Sequence, residues 1–175
     1  MQRKIWLMTY GDVKRCIEEG KTTLIIPVGA LEAHGPHLPL GTDTIIPEKL
    51  AEVIAEEIDA LIAPAMPYGV TTSLLVYAGG STISEETLRG IIVDIITHFS
   101  RHGFDIFIIL NGHGGNIGAI RDAMRLLWRD RRIKCIAVHW WIFVKNITKE
   151  IFGEIGGHGG LDETAMILAI NPELV

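Results

Sequence analysis

The chain has 175 residues, 48% of them hydrophobic and 21% charged, with a net charge of -5. That apolar fraction excludes disorder, and the excess of acid disfavours nucleic acid as a partner. Cys16 and Cys135 are too few for a disulfide framework, and no stretch approaches the roughly 20 apolar residues of a membrane span, so a single soluble, cytoplasmic domain over residues 1–175 is expected.

In chain order, Thr22 to Val28 is a short, β-branched, apolar run ending at Gly29, the pattern of a strand buried on both faces. From Ile46 to Ile58 apolar residues recur at helical spacing, with Pro47 read as a first-turn proline and Asp43 or Thr44 as the cap. Leu61 to Pro64 reads as a short strand. Ser84-Glu85-Glu86-Thr87 opens an amphipathic helix that runs to Arg101 and is stopped by Gly103. Asp105 to Leu110 and Ile133 to His139 read as further strands, separated by a helix from Asn116 to Trp128, and a last helix covers Glu163 to Ile170. The basic run Arg129 to Lys134 reads as a solvated helix end, its cations at the negative pole of the helix dipole. This alternation predicts an α/β fold, three-layer α/β/α with a mainly parallel central sheet, whose ligand site lies beyond the carboxyl ends of the strands.

The unusual polar residues gather at those ends. After the first strand the chain reads GALEAHGPHLPLGTD, which places Glu32, His34, His37 and Asp43 in one glycine- and proline-rich loop. Carboxylate and imidazole donors suit zinc, manganese or iron, and the lack of thiolates argues against a closed structural zinc site. In extended backbone Glu32 and His34 project to one side, and Asp43 could bridge two ions bound there; the alternative is that the acids merely cap helices. A second cluster, NGHGGN, carries Asn111, His113, Gly114, Gly115 and Asn116 from a buried strand into a helix. Its glycines allow close approach of a ligand to the backbone, and the two asparagines can hold the turn through side-chain hydrogen bonds. A nucleotide- or phosphate-binding module without hydrolysis is the competing reading, weakened because the next strand ends in His139 rather than an acid. The third cluster, GGHGGLDET, adds His158, Asp162 and Glu163 at a helix start.

Together E-x-H with G-T-D, N-G-H-G-G-N and H-x-G-x-x-E-T, spanning residues 24 to 170 in order, resemble the creatininase family of amidohydrolases. The resemblance implies that family's α/β fold and two divalent ions per subunit, with Glu32, Asp43 and His113 on one ion and His34, Asp43 and Glu163 on the other. It implies His158 as the acid/base group and hydrolysis of a non-peptide C–N bond of a small-molecule amide, in an enzyme that assembles as a homo-oligomer. His37, Gly114, Gly115, Asn116 and Trp141 are the substrate-contact candidates, and Asn116 or Asp162 could instead orient an imidazole. Two departures bear on the substrate. Gly115 stands where creatinine hydrolases carry a glutamate, and Leu74 and Leu75 stand where many members have a histidine. The NGHGGN and HGGLDET segments look more like the branch that deformylates a formamidopyrimidine ribonucleotide, with creatinine or another small cyclic amide as the alternative. The last residues, Asn171 to Val175, come soon after the third motif, as expected of a short member or a truncated chain.

Overall fold

The computed structural model describes residues 1–175. The sheet consists of β1 (Thr23–Val28), β2 (Leu61–Ile62), β3 (Ile106–Asn111) and β4 (Lys134–His139) in the order β2-β1-β3-β4, every neighbouring pair parallel. Val28, Asn111 and His139 stand side by side in register, so the central strands end on one line.

The helices are α1 (Tyr10–Glu18), α2 (Thr42–Glu57), α3 (Glu85–Arg101), α4 (Ile117–Arg131), α5 (Trp140–Phe152) and α6 (Leu161–Ile170). Alternation along the strands divides the core between the two faces of the sheet. Leu24, Ile26, Phe107 and Ile109 pack with Leu88, Ile92, Ile96, Ile120 and Leu127 of α3 and α4. On the other face Ile25 and Leu110 pack with Ala51 and Ala55 of α2, Trp140 of α5 and Ile167 of α6. Each fully buried Leu, Ile or Phe side chain among them contributes roughly 1.5–3 kcal/mol. The result is the expected three layers, and no helix is long and apolar enough to cross a membrane.

Four local expectations are corrected. Neither Asp43 nor Thr44 caps α2: the cap is Gly41, the Thr42 hydroxyl donates to the Pro39 carbonyl at 2.7 Å, and Asp43 falls inside the first turn, its carboxylate free for other partners. Pro47 is an interior residue of α2, not a first-turn one, and its missing N–H leaves the Asp43 carbonyl without its helical donor. Gly112 packs against that carbonyl, because a Cβ there would stand 1.9 Å from it. Helix α6 begins two residues before Glu163, at Leu161. Finally, α1 and α5 were not anticipated. Ser84 does cap α3, accepting from the Thr87 amide, and the basic run does end α4, with Arg132 in the left-handed conformation.

The strand order positions the site. The connection from β1 leads to β2 on one side and that from β3 leads to β4 on the other, so the loops after β1 and β3 diverge between the two central strands. Such a divergence opens a crevice at the carboxyl edge of a parallel sheet, where ligands bind.

Candidate metal centre

Into this crevice the loop after β1 brings Glu32 and His34, the first turn of α2 brings Asp43, the turn after β3 brings His113, and the segment leading into α6 brings His158 and Glu163. Glu32, His34 and Asp43 are 3%, 0% and 2% exposed, so their polar atoms are withdrawn from water.

The three imidazoles share one arrangement. His34 Nδ1 lies 3.1 Å from the Glu32 carbonyl, His113 Nε2 3.0 Å from the Val70 carbonyl, and His158 Nε2 2.7 Å from the Ala33 carbonyl. A carbonyl only accepts, so each of these nitrogens carries the proton and donates it. The opposite nitrogens all face carboxylates. His34 Nε2 is 3.0 Å from Asp43 Oδ1 and 3.7 Å from Glu163 Oε2. His113 Nδ1 is 2.8 Å from Asp43 Oδ2 and 3.2 Å from Glu32 Oε1, and His158 Nδ1 is 3.4 Å from Glu32 Oε1.

Neutral rings held this way aim lone pairs at anionic oxygens, which is repulsive unless positive charge lies between them. No lysine or arginine pairs with Glu32, Asp43 or Glu163; the basic groups within reach of them are these histidines. Although His113 Nδ1 is near, Asp43 Oδ2 is buried without a partner in hydrogen-bond geometry. Donor hydrogens turned outward to backbone carbonyls, lone pairs turned inward, and an orphaned buried carboxylate oxygen are what metal-ligating histidines and acids require. The donors fall into three groups, Glu32, Asp43, His113, then His34, Asp43, Glu163, and also Glu32, His34, His158, with ligand atoms within 4.8 Å of one another in each; Asp43 belongs to the first two.

Protons register the same demand for positive charge. Burial opposes a charge on His113, but Asp43 and Glu32 outweigh it and lift its pKa to about 10. For His34 burial also works downward and is overcome by Asp43, so its pKa is raised. Burial would push Asp43 up, yet the imidazoles of His113 and His34 hold it below its ordinary value. Glu163 is raised, chiefly by burial.

The centre forms the floor of an open cavity of about 980 Å³ whose wall includes Val70, Gly114, Gly115, Trp141, Lys145 and His158. Trp141 lines this space, while Trp140 is 3% exposed in the core beneath. His158 stacks over His34 with ring centroids 4.2 Å apart. Two sequence candidates, Asn116 and His37, lie off the cavity wall, and Asp162 lines it while bracing backbone. Asn116 is fully buried: its Oδ1 accepts from the Val70 amide at 2.9 Å, and its Nδ2 donates to the Gly29 carbonyl at 2.9 Å and to Asn111 Oδ1 at 3.2 Å. His37 bonds Thr164 Oγ1 at 3.1 Å, outside the cavity wall. Asp162 accepts from the Gly157 and Glu163 amides and so braces the turn before α6. Sequence reasoning missed Lys145, because α5 itself was not foreseen, and the Val70 carbonyl, which no side-chain pattern reveals. Gly112 and Gly115 of the glycine turn are needed for close packing: a Cβ at 115 would lie 2.0 Å from the Val70 oxygen.

A family model described as "Creatininase: Creatinine amidohydrolase" matches residues 6–175. The creatinine amidohydrolase of Pseudomonas putida is 31% identical, the match covering 96% of this chain and 72% of that protein. A mycofactocin precursor peptide peptidase of Mycobacterium ulcerans is 32% identical over 87% of this chain and 60% of the relative. Among solved structures, a manganese creatininase superposes with a TM-score of 0.93 at 29% identity, covering all of this chain and 75% of that one. A mutant creatininase of Zn-Zn type gives 0.93 at 30% identity with the same coverage. With its parallel sheet, its divalent-metal donor set and these likenesses in agreement, the chain belongs to the creatininase family of amidohydrolases.

Proposed function

We propose that this chain hydrolyses a non-peptide C–N bond of a small-molecule amide at a centre of two divalent ions, zinc, iron or manganese. Glu32, Asp43 and His113 would hold one ion and His34, Asp43 and Glu163 the other. The observation that carries the reading is Asp43, whose two carboxylate oxygens each face a different imidazole, His34 at 3.0 Å and His113 at 2.8 Å. When bound, two such ions polarise a carbonyl and make hydroxide available at neutral pH.

The chain's own residues do the rest. His158 is fixed by its donation to Ala33 and turns Nδ1 toward the cavity, where it can hold a proton and deliver it to the departing nitrogen. The Trp141 ring offers an apolar wall for a planar group, and Gly114 leaves backbone open, with no atom within 4 Å of where its Cβ would stand. A cavity of about 980 Å³ is at the upper end of small-ligand pockets and admits a nucleotide. A formamidopyrimidine ribonucleotide undergoing deformylation is therefore the leading substrate, and creatinine or another small cyclic amide the alternative. The tight contact at Gly115 favours the former, since this backbone has no room for the glutamate of creatinine hydrolases. A homo-oligomer is also part of the proposal, supported by Phe143 and Ile151 of α5 and Val76 of the connection between β2 and α3, which are 70%, 66% and 84% exposed.

The test is formate release from a formamidopyrimidine ribonucleotide, beside creatinine, by protein loaded with each metal in turn. Turnover lost in chelator and restored by metal is expected. Metal-loaded protein inert toward both compounds, or turnover that survives chelation, would overturn the assignment.

A further inference from the structure

Lys145 is the only lysine or arginine among the residues that line the cavity. It lies on α5 four residues after Trp141, so the two side chains share one face of the helix and enter the same wall. None of the chain's ion pairs includes it; Lys134 and Lys149 are likewise unpaired but lie outside this cavity, and Lys4, Lys14, Lys21 and Lys49 find acids. The acids that share the cavity are otherwise occupied. Glu32, Asp43 and Glu163 face the histidines, and Asp162 accepts backbone amides. Thr72 and Ser73 add hydroxyl donors to the same lining.

A lone ammonium group kept at the wall of a pocket floored by carboxylates, in a chain of net charge -5, has a chemical use. It attracts an anion that the rest of the surface repels, and it fixes that anion at a distance from the centre where the amide reacts. We propose that Lys145 anchors a carboxylate or phosphate carried by the substrate away from its scissile amide, and so selects amides of anionic molecules over neutral ones. This rests on the reading of the cavity as an amide site. It names Lys145 as a specificity residue, with no part in the bond cleavage.

The experiment uses the zinc-loaded protein and three formamides: N-formylglycine, O-phospho-N-formylethanolamine and uncharged N-formylglycinamide. Binding is followed by calorimetry and turnover by formate release. A hydrogen bond to a charged group corresponds to a preference on the order of 10- to 100-fold for the anionic probes. That ratio should fall to about one in Lys145→Met and persist in Lys145→Arg, with melting temperature and metal content reported for each variant. Whichever probe shows the larger preference identifies carboxylate or phosphate as the anchored group. A preference that survives Lys145→Met would belong to the metal ions and overturns the proposal, as does equal binding of all three probes by the parent protein. Selective binding without turnover leaves the anchor standing and removes the hydrolytic reading, so the two fail separately.

Discussion

Replacing Asn116 with alanine should loosen the proposed metal centre without touching a proposed ligand. Its amide ties together three segments, accepting from the Val70 N–H and donating to the Gly29 carbonyl and to Asn111 Oδ1. The side chain has no exposed surface, so bulk water does not reach its partners in the folded protein. Asn116→Ala leaves the Val70 donor and the Gly29 acceptor unpaired. At roughly 1–3 kcal/mol for each buried group the loss is about 4 kcal/mol. In a domain of this size that lowers the melting temperature by about 8–16 °C. The second consequence is at the site: the Val70 carbonyl is the acceptor that orients His113, at 3.0 Å from Nε2. Loss of such an outer partner weakens metal affinity by about 10- to 100-fold. Asn116→Asp keeps the shape and the acceptor for Val70 but sets a carboxylate oxygen against the Gly29 carbonyl and Asn111 Oδ1, so it too should lower the melting point. Thermal unfolding by circular dichroism in chelator isolates the first effect, and a zinc titration reads the second. An Asn116→Ala protein that melts within about 2 °C of the parent would refute the reasoning, since two unpaired buried groups must show more than that.

Three further outcomes are expected. Asp43→Asn should lose both ions together, because both donor groups contain Asp43; elemental analysis giving close to two ions per chain in parent and variant alike would rule out the bridge. His158→Gln should lower kcat by about 10²–10⁴-fold while metal content holds; loss of metal would instead mark His158 as a ligand with Glu32 and His34, a third grouping the geometry allows. Burial pushes the Cys135 thiol up to about 11. At pH 8 the native thiolate is then scarcer by about two orders of magnitude than in an unfolded chain, where a free thiol titrates near ~8.5. Native labelling by an aromatic disulfide should be correspondingly slow and speed up as pH rises toward 11; equal native and unfolded rates would contradict this.

Much of the architecture was legible because it is written in short-range pattern. Continuous apolar runs marked β1, β3 and β4, and the Ser84 signal marked the start of α3, since burial on two faces and capping both act within a few residues. Where such signals are weak the reading failed. Helix α5 has no side-chain cap at His139 and keeps Ile142, Phe143, Ile147 and Ile151 exposed, so no polar face outlines it. Helix α1 carried a legible Thr9 and Asp12 capping box, but in a stretch whose only buried residue is Cys16. At α2 the cap was assigned to the strongest capping side chains nearby, whereas Gly41 holds the position and the Asp43 carboxylate serves the site instead.

The sequence by itself determined which donor types stand at which strand ends, because each cluster is a local string attached to a local element. Only the tertiary structure decided what those donors face. The order β2-β1-β3-β4 opens the crevice between β1 and β3, and that order follows from where whole helices pack. The tautomer of His113 is set by a carbonyl 43 residues earlier in the chain, and that of His158 by one 125 residues earlier. Backbone carbonyls are the same at every residue, so no sequence pattern distinguishes the ones that orient these imidazoles; folding selects them by bringing distant segments to hydrogen-bond distance.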